Sequence, residues 1–243
     1  MSILVSDYDG TFDKNIFDIK LNCIAIASFI EKGNIFVLSS GRSYKSLLNK
    51  VNSHDIPYNF LATCDGSYLY DSNGNLLLSH SMDHNVISEV ITLSENSKCR
   101  GIDFAYEKDY SSQYVASENI SCLALVIDEK NISSDFFQKF NQLKENNPFY
   151  DYNYYGYNGV FYFMVKCKGL SKSSPINFLR NKLSIPRDEI YTIGDNLNDL
   201  EMISDFNGFA ISDDETLQKI SLGKYDSVHG LAEDILNRKV KRR

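Results

Sequence analysis

The segment Ile3-Leu4-Val5-Ser6-Asp7-Tyr8-Asp9-Gly10-Thr11 constrains this chain more than any other. Its first residues form a continuous apolar run of the kind buried on both faces of a parallel sheet, and the run delivers a carboxylate where the strand must end. Asp9 sets a second carboxylate within reach of the same space, and Gly10 lets the backbone turn away. In open α/β sheets ligands bind outside the carboxyl ends of the strands, so the pattern predicts a strand with a site at its lip. Two acids before a glycine are also common in solvated turns, and this segment alone leaves both readings open.

The pattern recurs. A helical stretch over about 18–32, with Leu21, Ile24, Ala25, Ala27 and Phe29 apolar, ends at Gly33. A second apolar strand, Ile35-Phe36-Val37-Leu38, runs into Ser39-Ser40-Gly41-Arg42, and a helix over about 43–53 leads to a third strand at Phe60-Leu61-Ala62-Thr63. After about residue 80 the character changes to an α+β insert. It has helices near 86–96 and 134–145, strands at 102–105 and 123–127, and a Tyr-rich hairpin turning at Asn158-Gly159. Alternation along the hairpin predicts core packing for Tyr150, Tyr152, Tyr154, Tyr155 and Tyr157, with stacking on a ligand as the alternative. The helix over 172–183 and the strand Ile190-Tyr191-Thr192-Ile193 then restore the first pattern, and Gly194-Asp195-Asn196-Leu197-Asn198-Asp199 again puts carboxylates at a strand end. The expected fold is α/β: a doubly wound, parallel, Rossmann-like core over 1–80 and 168–243, with a smaller α+β domain over 81–167.

Charge narrows the partners. The chain has 25 basic and 32 acidic residues, a net charge of −7, and its only basic cluster is the final Lys239-Val240-Lys241-Arg242-Arg243. That argues against nucleic acid, and the terminal run is expected to be a frayed, solvated tail. Five widely spaced cysteines suggest neither a disulfide framework nor a zinc site. No apolar run approaches a membrane span, and the strand opens directly after Met1-Ser2, so the expectation is a cytoplasmic chain without membrane contact. Two acidic strand ends at one sheet edge require a cation, and oxygen donors with few His or Cys favour Mg²⁺.

These residues together resemble the haloacid dehalogenase (HAD) superfamily of phosphatases, and within it the Cof-type branch, whose type IIB cap is inserted between the second and third motifs. Asp7-Tyr8-Asp9-Gly10-Thr11 matches the first motif, Ser40-Gly41-Arg42 the second, Lys172 in Leu170-Ser171-Lys172-Ser173 the third, and Gly194 to Asp199 the fourth. The resemblance implies Asp7 as nucleophile, Asp9 as general acid and base, and Lys172 as the catalytic cation. It implies that Thr11, Ser40, Gly41, Arg42 and Asn198 line the phosphate and substrate side, with Asn198 donating to phosphate or holding Lys172. A surface role for Arg42 is equally open. Mg²⁺ would be held by Asp7, the Asp9 main-chain carbonyl and Asp195, with Asp199 supporting them. The implied partner is a small phosphorylated metabolite such as a sugar phosphate, hydrolysed through an aspartyl-phosphate by a monomer or weak homo-oligomer. A phosphotransferase or phosphomutase, and a non-catalytic phosphoryl-binding signalling module, are the competing readings.

Two departures stand out. Where this branch usually carries Asn-Gly-Ala after the third strand, the chain has Asp65-Gly66-Ser67, and where it often carries Gly-Asn-Ala, the chain has Ser212-Asp213-Asp214. The first adds an acid near the phosphate pocket or merely forms a turn; the second puts a substrate contact in doubt.

Overall fold

The computed structural model describes all 243 residues, which fall into two compact units, residues 1–78 with 171–243 and residues 79–170. The first unit opens with β1 (Ile3–Asp7), α1 (Ile16–Glu31), β2 (Ile35–Ser39), α2 (Tyr44–Ser53), β3 (Phe60–Thr63), β4 (Tyr68–Asp71) and β5 (Leu76–Ser79). The inserted unit contains α3 (His84–Glu95), β6 (Cys99–Tyr106), β7 (Tyr110–Ser111), β8 (Ile120–Asp128), α4 (Ser134–Asn146), β9 (Tyr150–Tyr157) and β10 (Val160–Cys167). The first unit then resumes with α5 (Ser173–Leu183), β11 (Ile190–Gly194), α6 (Leu200–Asp205), β12 (Asn207–Ala210), α7 (Glu215–Ile220) and α8 (Val228–Leu236).

Seven strands of the first unit form a sheet in the order β12-β11-β1-β2-β3-β4-β5, parallel from β12 to β3 and antiparallel between β3 and β4. The five residues of β1 are all buried, as a strand covered on both faces requires. One face packs Ile26 and Phe29 of α1, Leu47 and Val51 of α2 and Leu231 of α8 against Leu4, Phe36 and Leu38. The other packs Ile176 and Leu179 of α5, Met202 of α6 and Leu217 of α7 against Ile3, Val5 and Val37. Helices on both faces make the sheet doubly wound. Chain order reverses at β1, since β2 follows on one side and β11 lies on the other, and this is the switch point where such sheets open a crevice.

Local chemistry sets the helix starts. Asn15 accepts from the main-chain N–H groups of Phe17 and Asp18 at the head of α1, and Ser43 accepts from Ser46 at the head of α2. Asn22, buried within α1, donates to the Phe12 carbonyl at 3.0 Å and accepts from the His229 N–H at 2.9 Å, tying the loop after β1 to α8.

The inserted unit is an antiparallel sheet, β7-β6-β8-β10-β9, with α3 and α4 on one face. Its core joins Val86, Val90 and Phe136 of the helices to Phe104, Leu125 and Phe163. Asn158 and Gly159 both take positive φ, 50° and 73°, as a two-residue turn matched to strand twist demands. The tyrosines divide. Tyr152 is buried and Tyr150 half-buried, but Tyr154, Tyr155 and Tyr157 are more than half exposed, so core packing holds for only part of the segment. Tyr154 lies over Phe163 on the helix side, and Tyr155 stacks on Tyr162 across the strand pair.

The basic C-terminus departs from expectation. Arg242 pairs with Glu189 at 2.8 Å, and Arg243 donates from its main chain to Asn207 and from its guanidinium to the Ile203 carbonyl. The acidic turn before β11 gives the tail a partner that hydrophobicity alone did not reveal. No helix is long and apolar enough to cross a membrane.

Candidate active site

Register brings the predicted residues together. Asp7 pairs with Ser39 on β2, and Ser6 pairs with Ile193 on β11, so the loops after β1, β2 and β11 leave the sheet side by side. After Asp7 the chain folds back on itself: Phe12 donates to the Asp7 carbonyl, Asp13 to the Tyr8 carbonyl and Gly10 to the Asp13 carbonyl. This turn carries Thr11 to Asp195, whose Oδ1 accepts from the Thr11 hydroxyl at 2.7 Å. Gly10 takes φ 82°, and a Cβ there would stand 2.4 Å from Asp195 Oδ2, so both conformation and space require glycine.

Lys172, at the head of α5, is fully buried; its Nζ donates to Asp7 Oδ1 at 2.5 Å and to Asp199 Oδ1 at 2.6 Å. The other Asp199 oxygen accepts the main-chain N–H groups of Asp195 at 3.0 Å and Asn196 at 3.2 Å. Asp199 thereby holds both the loop and the lysine. Burial pushes the Asp7 and Asp199 carboxyls upward; the neighbouring Asp199 charge adds to the rise at Asp7, and Lys172 opposes it at both. Burial would lower the lysine, but Asp199 and Asp7 outweigh it and hold Lys172 above its ordinary value, keeping the ammonium charged.

One ligand oxygen from each of Asp7, Asp195 and Asp199 lies within 4.8 Å of the others. Three carboxylates against one ammonium leave two negative charges, and a donor set of oxygen alone suits a hard divalent cation. The residues therefore fit Mg²⁺.

Asp9 is exposed and Arg42 half-buried, and the guanidinium grips the carboxylate twice, Nη2 to Oδ1 at 2.6 Å and Nε to Oδ2 at 2.8 Å. Ser40, buried, reaches Asp9 Oδ2 at 3.4 Å and accepts the Arg42 N–H at 3.2 Å. Asn198 donates to Asp65 Oδ1 at 3.1 Å, a contact that sequence reasoning did not anticipate. Ser212 was also missed: its hydroxyl donates to the Asp195 carbonyl at 2.7 Å, fixing the third strand end. Its signal in the sequence was its place after β12, where Ser212-Asp213-Asp214 departs from the Gly-Asn-Ala common in the branch it resembles.

A mostly parallel sheet with a lysine-bridged acidic cluster at its switch point defines a doubly wound α/β protein with a charged site at its lip. Residues 4–117 and 103–219 match the model of the haloacid dehalogenase-like hydrolases, and the chain belongs to that family. A Buchnera aphidicola protein named as a candidate phosphatase is 26% identical over 263 residues, covering 93% of this chain and 95% of its own. A candidate HAD/Cof-like hydrolase from Plasmodium vivax superposes with a TM-score of 0.71 at 22% identity, covering 98% of this chain and 96% of that one. A HAD subclass IIB sugar phosphatase gives 0.70 at 14% identity, covering 97% and 99%. The fold is that of the Cof-type members.

Proposed function

We propose that this chain is a Mg²⁺-dependent phosphatase that hydrolyses a small phosphorylated metabolite through a phosphorylated Asp7. The observation that carries the reading is Asp7 itself, buried at the switch point and held at 2.5 Å by a buried ammonium. The relative named as a candidate phosphatase and the sugar-phosphatase fold neighbour support the same reaction class.

In the first step an Asp7 carboxylate oxygen bonds to phosphorus while the ester oxygen leaves with a proton from Asp9. In the second, Asp9 takes a proton from water, whose oxygen attacks phosphorus and frees Asp7 and inorganic phosphate. Lys172 offsets the charge gathering on the phosphoryl oxygens, and the Ser40 hydroxyl, the Gly41 backbone and Asn198 orient them. Asp7, the Asp9 main-chain carbonyl and Asp195 would hold Mg²⁺, with Asp199 behind them. When bound, the ion supplies the positive charge that an acidic site needs to accept a phosphate ester.

Arg42 and Asp9 must separate before Asp9 can move a proton. Their side chains are 34% and 49% exposed, so water screens the pair and can take over its hydrogen bonds as it opens, against a bidentate geometry stronger than a single surface contact. The test is phosphate release from a panel of phosphorylated metabolites with and without Mg²⁺. Release that requires the ion and ranks the panel supports the reading; absence of release from every compound by folded protein contradicts it.

A further inference from the structure

The turn after β3 is left unused by this reaction, and it is built at a cost. Cys64, Asp65 and Gly66 are three successive residues with positive φ, 50°, 51° and 92°. Only glycine adopts this region freely; for other residues it is unfavourable by about 1–2 kcal/mol, with Asp and Asn among the better tolerated. Main-chain hydrogen bonds tie the turn to the loop after β2, from Cys64 to the Arg42 carbonyl at 2.9 Å and from Asp65 to the Ser40 carbonyl at 3.2 Å. On its other side, a Cβ at Gly66 would stand 2.0 Å from the Ser171 carbonyl oxygen. The turn is wedged between the Ser40-Gly41-Arg42 loop and the residue before Lys172.

The side chain of Asp65 fills the remaining gap. Both its carboxylate oxygens lie 3.2 Å from where a Gly41 Cβ would sit, and Oδ1 accepts from Asn198 at 3.1 Å. Its charge also reaches the Lys172 ammonium, which it helps to hold in the charged state. Ser40, Gly41, Asn198 and Lys172 are the groups to which the proposed reaction gives the phosphoryl oxygens. A fixed negative charge among them opposes a phosphate dianion, while its acceptor-only oxygens dictate which way the Asn198 amide faces.

We propose that Asp65 is a built-in counterweight at the phosphoryl site: a positioning residue that orients Asn198 and weakens the hold on inorganic phosphate, so that product leaves readily. This rests on reading the site as that of a phosphatase. A residue present only to shape the turn would leave phosphate affinity unchanged or, when replaced badly, lower it. A repelling charge gives the opposite sign on removal.

The test is binding of inorganic phosphate by the full-length protein in Mg²⁺ buffer, by calorimetry and by competition against whichever panel compound is hydrolysed fastest. Asp65→Asn removes the charge while keeping a side chain suited to positive φ, and Asp65→Gly removes both charge and side chain with no backbone penalty. Each is expected to bind phosphate about three- to tenfold more tightly than wild type, as removal of one nearby like charge implies, in protein shown to be folded by its melting transition. Should either variant misfold, the other decides. Equal or weaker binding in a folded variant overturns the proposal while leaving phosphatase activity of the wild type intact. A wild type that neither binds phosphate nor releases it from any ester overturns both.

Discussion

At the scale of single residues, the site is governed by Lys172. A fully buried ammonium between two buried carboxylates is stable only because each partner is present. Lys172→Met should lower kcat/KM by about 10²–10³, the usual loss when a preorganised charge is removed from an anionic transition state. It should also destabilise the fold by roughly 3–5 kcal/mol, because Asp7 and Asp199 are left facing each other unpaired. Added Mg²⁺ should restore part of that stability by binding only the folded state, and urea melts with and without the ion would read it. A variant as stable as wild type and indifferent to Mg²⁺ would remove Lys172 and the ion from the same account. The carboxylates and lysine were legible in the sequence because each sits at a strand end or helix head. The side-chain bonds between loops were not: Arg42 on Asp9 and Asn198 on Asp65 join residues 33 and 133 positions apart, and no local pattern pairs them.

At the scale of elements, close approach explains several glycines that periodicity cannot. A Cβ on Gly208 in β12 would stand 2.1 Å from the Ile203 carbonyl oxygen and 2.4 Å from its Cα, so α6 packs on the strand only because the position is bare. Gly208→Ala should cost about 1–3 kcal/mol, as overpacking typically does, and shift the urea midpoint without changing the slope. An unshifted midpoint would mean that α6 moves away freely. The strands flanking the site were legible because their apolar runs are buried on both faces; a helix buries only one, and in α1 that face is Ile19, Asn22, Ile26 and Phe29, while Leu21 and Ile24 are exposed. The edge strand β5 and the two-residue β7, at the edge of the other sheet, carry weaker patterns, since an edge strand need bury only one side. Exposure along β9 changes lengthwise and does not alternate: Tyr152 is buried, and every residue from Asn153 to Tyr157, toward the hairpin turn, is exposed on both faces.

For the whole molecule, alkaline pH tests the core unit. Burial and the hydrogen bond to Asp234 push the Tyr225 phenol from 10 up to about 12. An unfolded tyrosine loses its proton near pH 10 and the folded one only near pH 12, so within that window the unfolded state binds fewer protons. Stability from this group is complete below pH 10 and lost as pH rises to 12. Tyr225→Phe should therefore flatten the fall in melting temperature across pH 10–12; an identical slope would show that the phenol is not protected. Other buried tyrosines, Tyr8 and Tyr152 among them, shift the same way and keep the remaining slope from vanishing.

The central claim, that Asp7 takes the phosphoryl group, is tested most directly by phosphate release measured beside Asp7→Asn. With the preferred panel compound and Mg²⁺, wild type should turn over, chelation by EDTA should stop it, and the folded variant should show at most a trace of the rate, since a neutral amide is a poor nucleophile. Substantial Mg²⁺-dependent release by pure Asp7→Asn protein would contradict the account.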